Sequence, residues 1–274
     1  MSELTVDREK CNFCGICVKE CPLYIIKMPD AESLPAWSDD GESLCVKCGH
    51  CVISCPTTAI SVNSITPDAC IEVKRDLLPS AEQVELFLKS RRSVRAYKDK
   101  KVPRELLSKL IDIARYAPSG HNTQPVHWLV IENPNEVRRL AGIVADWMRM
   151  VIEDNPAMAQ ALHLDRIIID WDRGNERIMR GAPHAIVAYG RKDNFMAPQA
   201  ATIALTTLEL AAYGYGLGAC WAGYFHAAAS GFPPMVEALG LPEGYNCLGA
   251  MMVGYPQHRF YRIPTRNQPH ILWR

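Results

Sequence analysis

The spacing of eight cysteines near the amino terminus constrains this chain more than any other feature. The pattern Cys-x2-Cys-x2-Cys-x3-Cys-Pro occurs twice, and each cysteine of the second run lies 34 residues after its counterpart. The pattern is therefore an internal duplication. The first run contains Cys11, Cys14, Cys17 and Cys21, and the second contains Cys45, Cys48, Cys51 and Cys55.

The repeated spacing is typical of thiolates that bind iron–sulfur clusters. Three cysteines two residues apart can surround one cubane cluster from a tight loop, whereas the fourth binds the other cluster of a pair. Gly15 and Gly49 suit loops that approach a cluster closely. The spacing therefore predicts two [4Fe-4S] clusters, one bound by Cys11, Cys14, Cys17 and Cys55 and the other by Cys45, Cys48, Cys51 and Cys21.

Other uses of clustered cysteines explain this pattern less well. The first ten residues contain no apolar run, so we expect no secretory signal, a cytoplasmic protein and no disulfide framework. Zinc ribbons pair Cys-x2-Cys units across longer gaps and do not require the third and fourth cysteines. The other three cysteines are predicted to be small buried hydrophobic residues, and they are Cys70, Cys220 and Cys247.

Composition separates the cysteine-rich region from the rest of the chain. Hydrophobic residues make up 48% of the 274 residues and the formal net charge is zero, which excludes intrinsic disorder. Basic and acidic residues number 30 each, so a wholly basic nucleic-acid binder is disfavoured. Residues 1–66 hold nine acidic and five basic side chains, whereas the remainder has an excess of basic ones. We therefore predict one domain over 1–66, a linker over 67–84 and a larger domain over 85–274.

Local patterns in the larger region predict helices that alternate with few strands. Ser80 and Gln83 have the spacing of a capping box, so a helix is expected from about 81 to 90. An apolar stripe from Leu106 to Ala117, after Pro103, predicts a second helix. Further helices are expected over 135–152 and 197–215, and strands over 127–132, 184–190 and 246–254. This order favours an α+β sandwich, and no Gly-x-Gly-x-x-Gly follows a strand to indicate a Rossmann site.

A long stretch with few charges, residues 200–229, has two interpretations. One is a membrane helix, because only Glu209 interrupts its apolar character. The other is a buried helix followed by a glycine-rich turn and a strand, which the three glycines between 214 and 218 favour. We expect the buried helix and no membrane association.

Three segments of the larger region carry groups suited to flavin mononucleotide (FMN). Guanidinium groups of the run 91–95 can bind a phosphate through two parallel hydrogen bonds. The loop 118–125 is rich in amides and hydroxyls that can match the edge of a flavin ring. Small residues in 216–224 allow the backbone to approach a flat ring. Taken singly, the basic run 89–101, which includes the first segment, is more often a solvated face, and the second segment is more often a simple turn.

In combination, the three segments closely resemble the nitroreductase family of FMN enzymes. The motifs are Arg-Arg-Ser-x-Arg-x-Tyr, then Ala-Pro-Ser-Gly-x-Asn-x-Gln-Pro, then Gly-Leu-Gly-Ala-Cys-Trp-Ala-Gly and finally Val-Gly-Tyr-Pro. This resemblance covers residues 85–274, and residues 1–66 resemble bacterial two-cluster ferredoxins. The whole chain thus resembles ferredoxin–nitroreductase proteins, in which a nitroreductase-like FMN-binding α/β sandwich follows a ferredoxin-like domain.

The resemblance implies cofactor roles for the arginine-rich segment. Arg91 and Ser93 would bind the FMN phosphate and ribityl chain, with Arg92 nearby. Arg95 would lie near N1 and O2 of the ring, where a cation stabilises the charge of reduced flavin. A phosphate ligand near the carboxyl terminus would be Arg266, with less support for Arg262 or Arg259.

The resemblance also implies that two chains share each flavin. Family members are homodimers with FMN at the subunit interface. The second subunit would contribute the loop residues Pro118, Ser119, Gly120, Asn122 and Gln124. The backbone facing flavin N5 would come from Trp221, Ala222 and Gly223.

Clusters and a flavin on one chain predict an electron path. Our first hypothesis is that the two clusters pass electrons to FMN for reduction of a small organic acceptor, such as a nitroaromatic, a quinone or an enone. An alternative is an electron-transfer module that exchanges electrons with ferredoxin, NAD(P)H or a partner protein. A redox-sensing nucleic-acid binder rests only on the basic run 89–101, which the resemblance assigns to phosphate binding.

The sequence assigns no catalytic acid and no substrate pocket. Single histidines are more often turn or core residues than proton donors, and the candidates are His121, His127, His184 and His226. Core or dimer packing is likewise the favoured interpretation of the large side chains between 147 and 179, namely Trp147, Met148, Met150, Trp171 and Met179.

Overall fold

The computed structural model of the protein describes residues 3–274, and these divide into two units. Unit 1 extends to Leu78 and also includes His121–Thr123. Unit 2 comprises Pro79–Gly120 and Gln124–Arg274. The boundary between Leu78 and Pro79 falls inside the region 67–84 that the sequence assigns to a linker.

Unit 1 consists of short helices and strands. Its elements in chain order are β1 (Leu4–Val6), α1 (Ile16–Glu20), β2 (Ile26–Lys27), β3 (Ala36–Trp37), α2 (Gly41–Leu44), α3 (His50–Ile53) and β4 (Ile60–Val62), followed by 3-10 turns at Pro67–Ala69 and Arg75–Leu77. Strands β1 and β4 pair antiparallel with Leu4 opposite Val62, and β2 pairs antiparallel with β3. Buried aliphatic side chains of these strands pack with three of the cysteines to form the core of the unit.

The duplicated sequence folds into a duplicated backbone. Helices α1 and α3 both begin directly after a left-handed glycine. Three pairs of residues, each 34 positions apart, share a left-handed backbone: Phe13 and Lys47 (φ 57° and 52°), Gly15 and Gly49 (67° and 76°), and Tyr24 and Thr58 (55° and 55°). Non-glycine residues rarely adopt this conformation, so both cysteine loops are sharply turned in the same way.

Unit 2 contains the remaining helices and a four-stranded sheet. Its elements are α4 (Ala81–Ser90), α5 (Arg104–Ala114), β5 (His127–Ile131), α6 (Pro134–Asp154), α7 (Pro156–Leu162), α8 (Leu164–Asp172), β6 (His184–Arg191), α9 (Ala197–Gly214), β7 (Gly218–Trp221), α10 (Gly223–Ala229), α11 (Pro233–Leu239) and β8 (Tyr245–Gly254). The strand order is β5-β6-β8-β7, and every neighbouring pair is antiparallel.

Helices cover both faces of this sheet. Ala185 and Val187 of β6 point into one core with α6, α8, α10 and α11, whereas Ile186 and Ala188 point into a second core with α5 and α9. Because successive side chains of a strand point to opposite faces, a strand between two cores is apolar at every position. The three-layer arrangement confirms the predicted α+β sandwich.

Most predicted elements of unit 2 are confirmed. The capping box of α4 is present, with Gln83 N donating to Ser80 Oγ at 3.2 Å and Ser80 N donating to Gln83 Oε1 at 2.8 Å. The long buried helix and its following turn and strand correspond to α9 and β7. The helix predicted from the apolar stripe is too long, because α5 ends at Ala114 and Ala117 lies in the turn that follows.

Some side-chain environments differ from the sequence predictions. Cys220 and Cys247 are buried as expected, but Cys70 is only half-buried. Trp147, Met148 and Met179 lie in the core, as the packing interpretation expects. The other two large side chains are not fully buried. Met150 is 39% exposed, and Trp171 is partly buried and packs against the core. No helix among residues 3–274 combines the length and apolarity needed to cross a bilayer.

His184 at the start of β6 is a fully buried polar side chain with two backbone partners. Its Nε2 accepts from Val102 N at 2.8 Å, and its Nδ1 lies 2.8 Å from Glu132 O. The accepting Nε2 requires the proton on Nδ1, so the ring is neutral. Desolvation lowers the pKa of His184 below its usual 6.5.

The buried histidine predicts a pH-dependent contribution to stability. Because the folded pKa is lowered, this contribution is complete above pH ~6.5 and is lost as the pH falls below it. Replacement with leucine (His184→Leu) should cost about 1–3 kcal/mol at pH ~7.5, since the two backbone groups lose their partner. Thermal unfolding followed by tryptophan fluorescence should show this cost shrinking toward pH ~5.5.

The exposed His270 provides the matched control. His270→Leu should leave the unfolding midpoint unchanged at both pH values, because its side chain lies at the surface. A cost for His184→Leu that stays constant over this pH range would contradict the neutral, buried state of the imidazole.

Candidate functional site

Unit 1 contains a cavity lined by four cysteines, here called the first cysteine cavity. Cys11, Cys14, Cys17 and Cys55 line it, so three come from the first sequence run and one from the second. Gly15 also lines it and has open space around its α-carbon. Cys55 Sγ accepts from Ala59 N at 3.3 Å.

A second cysteine cavity in unit 1 repeats this arrangement. Its cysteines are Cys45, Cys48 and Cys51 from the second run and Cys21 from the first. Its walls are largely apolar and include Ile25, Ile26 and Trp37. The two cavities share no lining residue, and their cysteines are the two sets of four that the sequence predicts as cluster ligands.

Electrostatics within each cavity disfavour four charged thiolates unless a cation is present. Burial, together with the charges of Cys48, Cys45 and Cys21, raises the pKa of Cys51 to about 12. Burial also raises the pKa of Cys17, and Cys14 and Cys55 add to this. Irons bound in the cavity would reverse this balance, because a metal ion deprotonates a coordinating thiol. Among residues 3–274 no three potential ligand side chains gather closely enough to share a single ion.

Unit 2 contains a large cavity lined by arginines, here called the arginine cavity. Its volume is about 560 Å³, within the range of cofactor sites. Arg91 and Arg92 line one part, the end of α9 and the start of β7 form another, and Arg259 lies on the segment that follows β8. The N–H of Val94 donates to Ala219 O at 3.0 Å, which fixes the arginine-rich segment along β7.

Several arginines raise the positive potential of this cavity. Desolvation lowers the pKa of Arg92, and repulsion from Arg266, Arg91 and Arg95 adds to the effect. Arg266 itself is exposed, and its Nη1 donates to O of the neighbouring Thr265 at 3.1 Å. A cluster of like charges favours the binding of an anionic ligand, since the ligand would relieve the repulsion between the arginines.

One acidic side chain also faces the arginine cavity. Glu209 of α9 pairs with Arg91 at 2.9 Å, and their side chains are 13% and 27% exposed. The ion pair holds the guanidinium in one orientation, because Arg presents its donors in a rigid fork. Next to it, Tyr213 Oη lies 2.8 Å from Ser90 Oγ and its ring contacts Phe87. Sequence reasoning missed the role of Glu209, which it treated only as an interruption of an apolar stretch.

The predicted N5-facing stretch lies where β7 meets α10. Ala222 N donates to Ala250 O at 2.9 Å, which ties the stretch to β8. Gly249 makes room for Trp221, since a β-carbon there would lie 2.6 Å from the indole. Gly223 is exposed at the start of α10 and its backbone is accessible. These residues do not line the arginine cavity.

Several residues of the amide-rich loop line a cavity other than the arginine cavity. Pro118, Ser119 and Gln124 line a separate cavity of about 90 Å³, here called the amide cavity, and Gln124 N donates to Ser119 Oγ at 3.0 Å. The two cavities have no lining residue in common. Gly120 packs closely against the Met196 side chain. Asn122 belongs to unit 1, where its Nδ2 donates to Val46 O and Lys47 O at 3.2 and 3.0 Å.

The other candidate histidines have structural environments. His127 stacks on Tyr189 with ring centroids 5.3 Å apart, and His121 is exposed with a left-handed backbone. His226 contacts the edge of Trp221, and desolvation lowers its pKa. None of these histidines lines the arginine cavity.

Comparison with known proteins identifies two families along the chain. The model of the nitroreductase family matches residues 88–255, and the model of the 4Fe-4S dicluster domain matches residues 10–60. The first match covers more than half of the chain. The second covers all eight cysteines that line the two cysteine cavities.

Curated relatives and solved structures resemble the larger unit. A putative NADH dehydrogenase/NAD(P)H nitroreductase of Methanothermobacter thermautotrophicus is 28% identical over 62% of this chain and 75% of its own length. An NADH dehydrogenase of Thermus thermophilus is 30% identical over 67% of this chain and 92% of its own length. The crystal structure of a nitroreductase with bound FMN from Desulfitobacterium hafniense is 25% identical, with a TM-score of 0.54, and covers 71% of this chain and 95% of its own.

The three-layer fold of unit 2 and its arginine cavity are consistent with the matches to nitroreductases. The preceding cysteine cavities agree with the dicluster model in the same way. The chain therefore belongs to the nitroreductase family of oxidoreductases and carries a 4Fe-4S dicluster domain before its nitroreductase domain.

Proposed function

We propose that this protein passes electrons from two [4Fe-4S] clusters to FMN and thereby reduces a small organic acceptor. The observation that carries the proposal is the presence, on one chain, of two four-cysteine cavities and an arginine cavity. A cluster transfers one electron at a time, and a flavin accepts one or two, so the two kinds of group suit a single electron path.

The chemistry of the donors fits the clusters. Each cavity offers four thiols, and the fourth comes from the other sequence run. Burial tends to raise the pKa of the Cys55 thiol, but hydrogen bonds from Ala59 and Thr57 outweigh it and lower the pKa overall. The proposed ligands are Cys11, Cys14, Cys17 and Cys55 for one cluster, and Cys45, Cys48, Cys51 and Cys21 for the other.

The arginine cavity fits the phosphate end of FMN. Arg91, fixed by Glu209, has donors left for phosphate oxygens, and Arg92 lies beside it. Arg266 and Arg262 follow on the carboxyl-terminal segment and are both exposed. Ser93 adds a hydroxyl to the same segment. We assign phosphate and ribityl binding to these residues.

The flavin ring requires residues beyond the arginine cavity. Arg95 would hold its pyrimidine edge, and the backbone from Trp221 through Ala222 to Gly223 would face N5. The amide cavity lies apart from the arginine cavity within one chain. This separation supports a homodimer in which a second chain supplies the loop residues Pro118, Ser119, Gly120, Asn122 and Gln124.

Cofactor content is the first measurement that tests the proposal. Anaerobically purified protein should contain about eight iron atoms and about one FMN per chain. Its sedimentation should indicate about twice the chain mass of 30.6 kDa. Rapid mixing of the reduced protein with a nitroaromatic, a quinone or an enone should then reoxidise it.

Each other outcome contradicts part of the proposal. Iron without flavin would exclude the flavoenzyme, and flavin without iron would exclude the electron path through the clusters. Reoxidation only by ferredoxin, NAD(P)+ or a protein partner would favour an electron-transfer module instead. The relatives named NADH dehydrogenase motivate NAD(P)H as a donor in the same assay.

A further inference from the structure

Arg180 occupies a strained position on the loop before β6. Its backbone is left-handed, with φ 59°, and Gly181 follows with φ 65°. A non-glycine residue in this region persists only where its surroundings enforce it. Packing on both sides of Arg180 holds the conformation of the loop, because Met179 and Ala182 are buried in the core.

Glu176 clamps the backbone around Arg180. One carboxylate oxygen accepts from Met179 N and the other from Gly181 N, both at 2.6 Å. Hydrogen bonds to a charged carboxylate are among the stronger ones in proteins. The clamp therefore holds the N–H groups that flank Arg180 and fixes the direction in which its side chain leaves the loop.

The Arg180 loop lies beside the segment that carries Arg95. A β-carbon on Gly254 would lie 2.7 Å from Pro183 Cδ and 2.8 Å from Tyr97 Cδ1, so both segments meet at the end of β8. Tyr97 Oη donates to Val94 O at 2.8 Å, which closes the turn that contains Arg95.

The charges of Arg95 and Arg180 both influence two buried side chains, Cys220 and Tyr97. Burial raises the pKa of the Cys220 thiol. The positive charges of Arg95 and Arg180 oppose this, whereas the more weakly acting carboxylate of Glu209 adds to it. Burial likewise raises the pKa of Tyr97, again against both cations. Within residues 3–274 no carboxylate forms an ion pair with Arg180. Both cations are thus within electrostatic range of Cys220 on β7, and Cys220 directly precedes the proposed N5-facing backbone.

We infer that Arg180 is a second cation of the flavin site, which acts with Arg95 to stabilise the negative charge of reduced FMN. This inference rests on the proposed function. A fixed cation stabilises the anionic, reduced ring more than the neutral, oxidised ring. Arg180 therefore raises the midpoint potential of the bound flavin, and Glu176 is the residue that positions it.

The test is a redox titration of the holoprotein with Arg180→Asn. Asparagine tolerates the left-handed backbone and removes the charge. We expect reduced FMN to bind about tenfold more weakly relative to oxidised FMN, which for a two-electron couple lowers the midpoint potential by about 30 mV. The iron–sulfur signal is subtracted by titrating protein from which the flavin has been removed.

Three further variants separate charge from structure. Arg180→Lys should keep most of the potential, because it keeps the charge, and Glu176→Gln should give an intermediate shift. Arg177→Asn is the matched control, since Arg177 pairs with Asp170 at 2.7 Å, and it should leave the potential unchanged. An unchanged potential in Arg180→Asn, with FMN bound, would overturn the inference. Wild-type protein that binds no FMN would instead refute the proposed function itself.

Discussion

Anaerobically purified Cys14→Ala and Cys48→Ala proteins are expected to contain about four iron atoms per chain, against about eight in the unsubstituted protein. The two cysteines hold equivalent positions in the two sequence runs and line different cavities. Each substitution removes one of four thiols from one cavity only. FMN content should stay unchanged, because neither residue belongs to unit 2. Iron, sulfide and flavin assays on one sample measure all three quantities.

Each cavity takes three cysteines from one sequence run and the fourth from the other run, and this crossed pairing can be tested with a further variant. Cys55 follows the second run in sequence but lines the first cavity, so Cys55→Ala should lose the same cluster as Cys14→Ala. The electron paramagnetic resonance spectrum of the remaining reduced cluster distinguishes the two clusters. Cys70→Ala is the control, because the half-buried Cys70 lines neither cavity. A Cys55→Ala spectrum that matches Cys48→Ala would refute the crossed pairing.

The same variants test the direction of electron flow. With FMN still bound, reduction of a nitroaromatic by a one-electron donor should fall by about an order of magnitude or more, since the path now lacks a cluster. A full rate in either variant would show that the cluster lost in that variant does not supply the electrons, and full rates in both would contradict the proposed path through the clusters.

Arg91→Ala is expected to weaken FMN binding on the order of 100-fold. A hydrogen bond to a charged group is worth about 1.5–3 kcal/mol, and each ~1.4 kcal/mol is tenfold in affinity. The variant also leaves Glu209, 13% exposed, without its partner at 2.9 Å and beside the incoming phosphate. Quenching of FMN fluorescence on titration with the flavin-depleted protein measures the dissociation constant.

A second substitution separates the two causes. Arg91→Ala combined with Glu209→Ala should bind FMN more tightly than Arg91→Ala alone, because the unpaired carboxylate is removed. Arg139→Ala provides the matched control, since it breaks an exposed Arg–Glu pair with Glu136 on α6. Equal affinities of the single and double variants would mean that Glu209 does not act on the phosphate.

The sequence predicted those features that rest on local patterns. The cysteine spacing gave both sets of four, because the same short loop conformation recurs wherever the spacing recurs. The capping box at Ser80 likewise located the start of α4, since its hydrogen bonds join residues three positions apart. Helices α7, α8, α10 and α11 were not predicted, because they are short and their apolar positions depend on the core they meet.

Contacts between distant residues could not be predicted from the sequence. The Arg91–Glu209 pair joins residues 118 positions apart, and nothing local marks Glu209 as its partner. The left-handed backbone of Arg180 depends on Glu176 and on a buried loop, not on the propensity of arginine. Asn122 has the motif position of a flavin ligand, and the sequence does not reveal that its Nδ2 donates to carbonyl oxygens within unit 1.

The exchange of the fourth cysteine between the two cavities makes the two sequence runs depend on each other. One repeat of 34 residues supplies three thiols to one cavity and a single thiol to the other. A free peptide of this length would therefore leave both cavities incomplete, whereas two identical peptides would complete both by exchanging their fourth cysteines. Within unit 1 the two sequence runs thus stand to each other as two such peptides would, and the left-handed residues recur at the same offset of 34 positions.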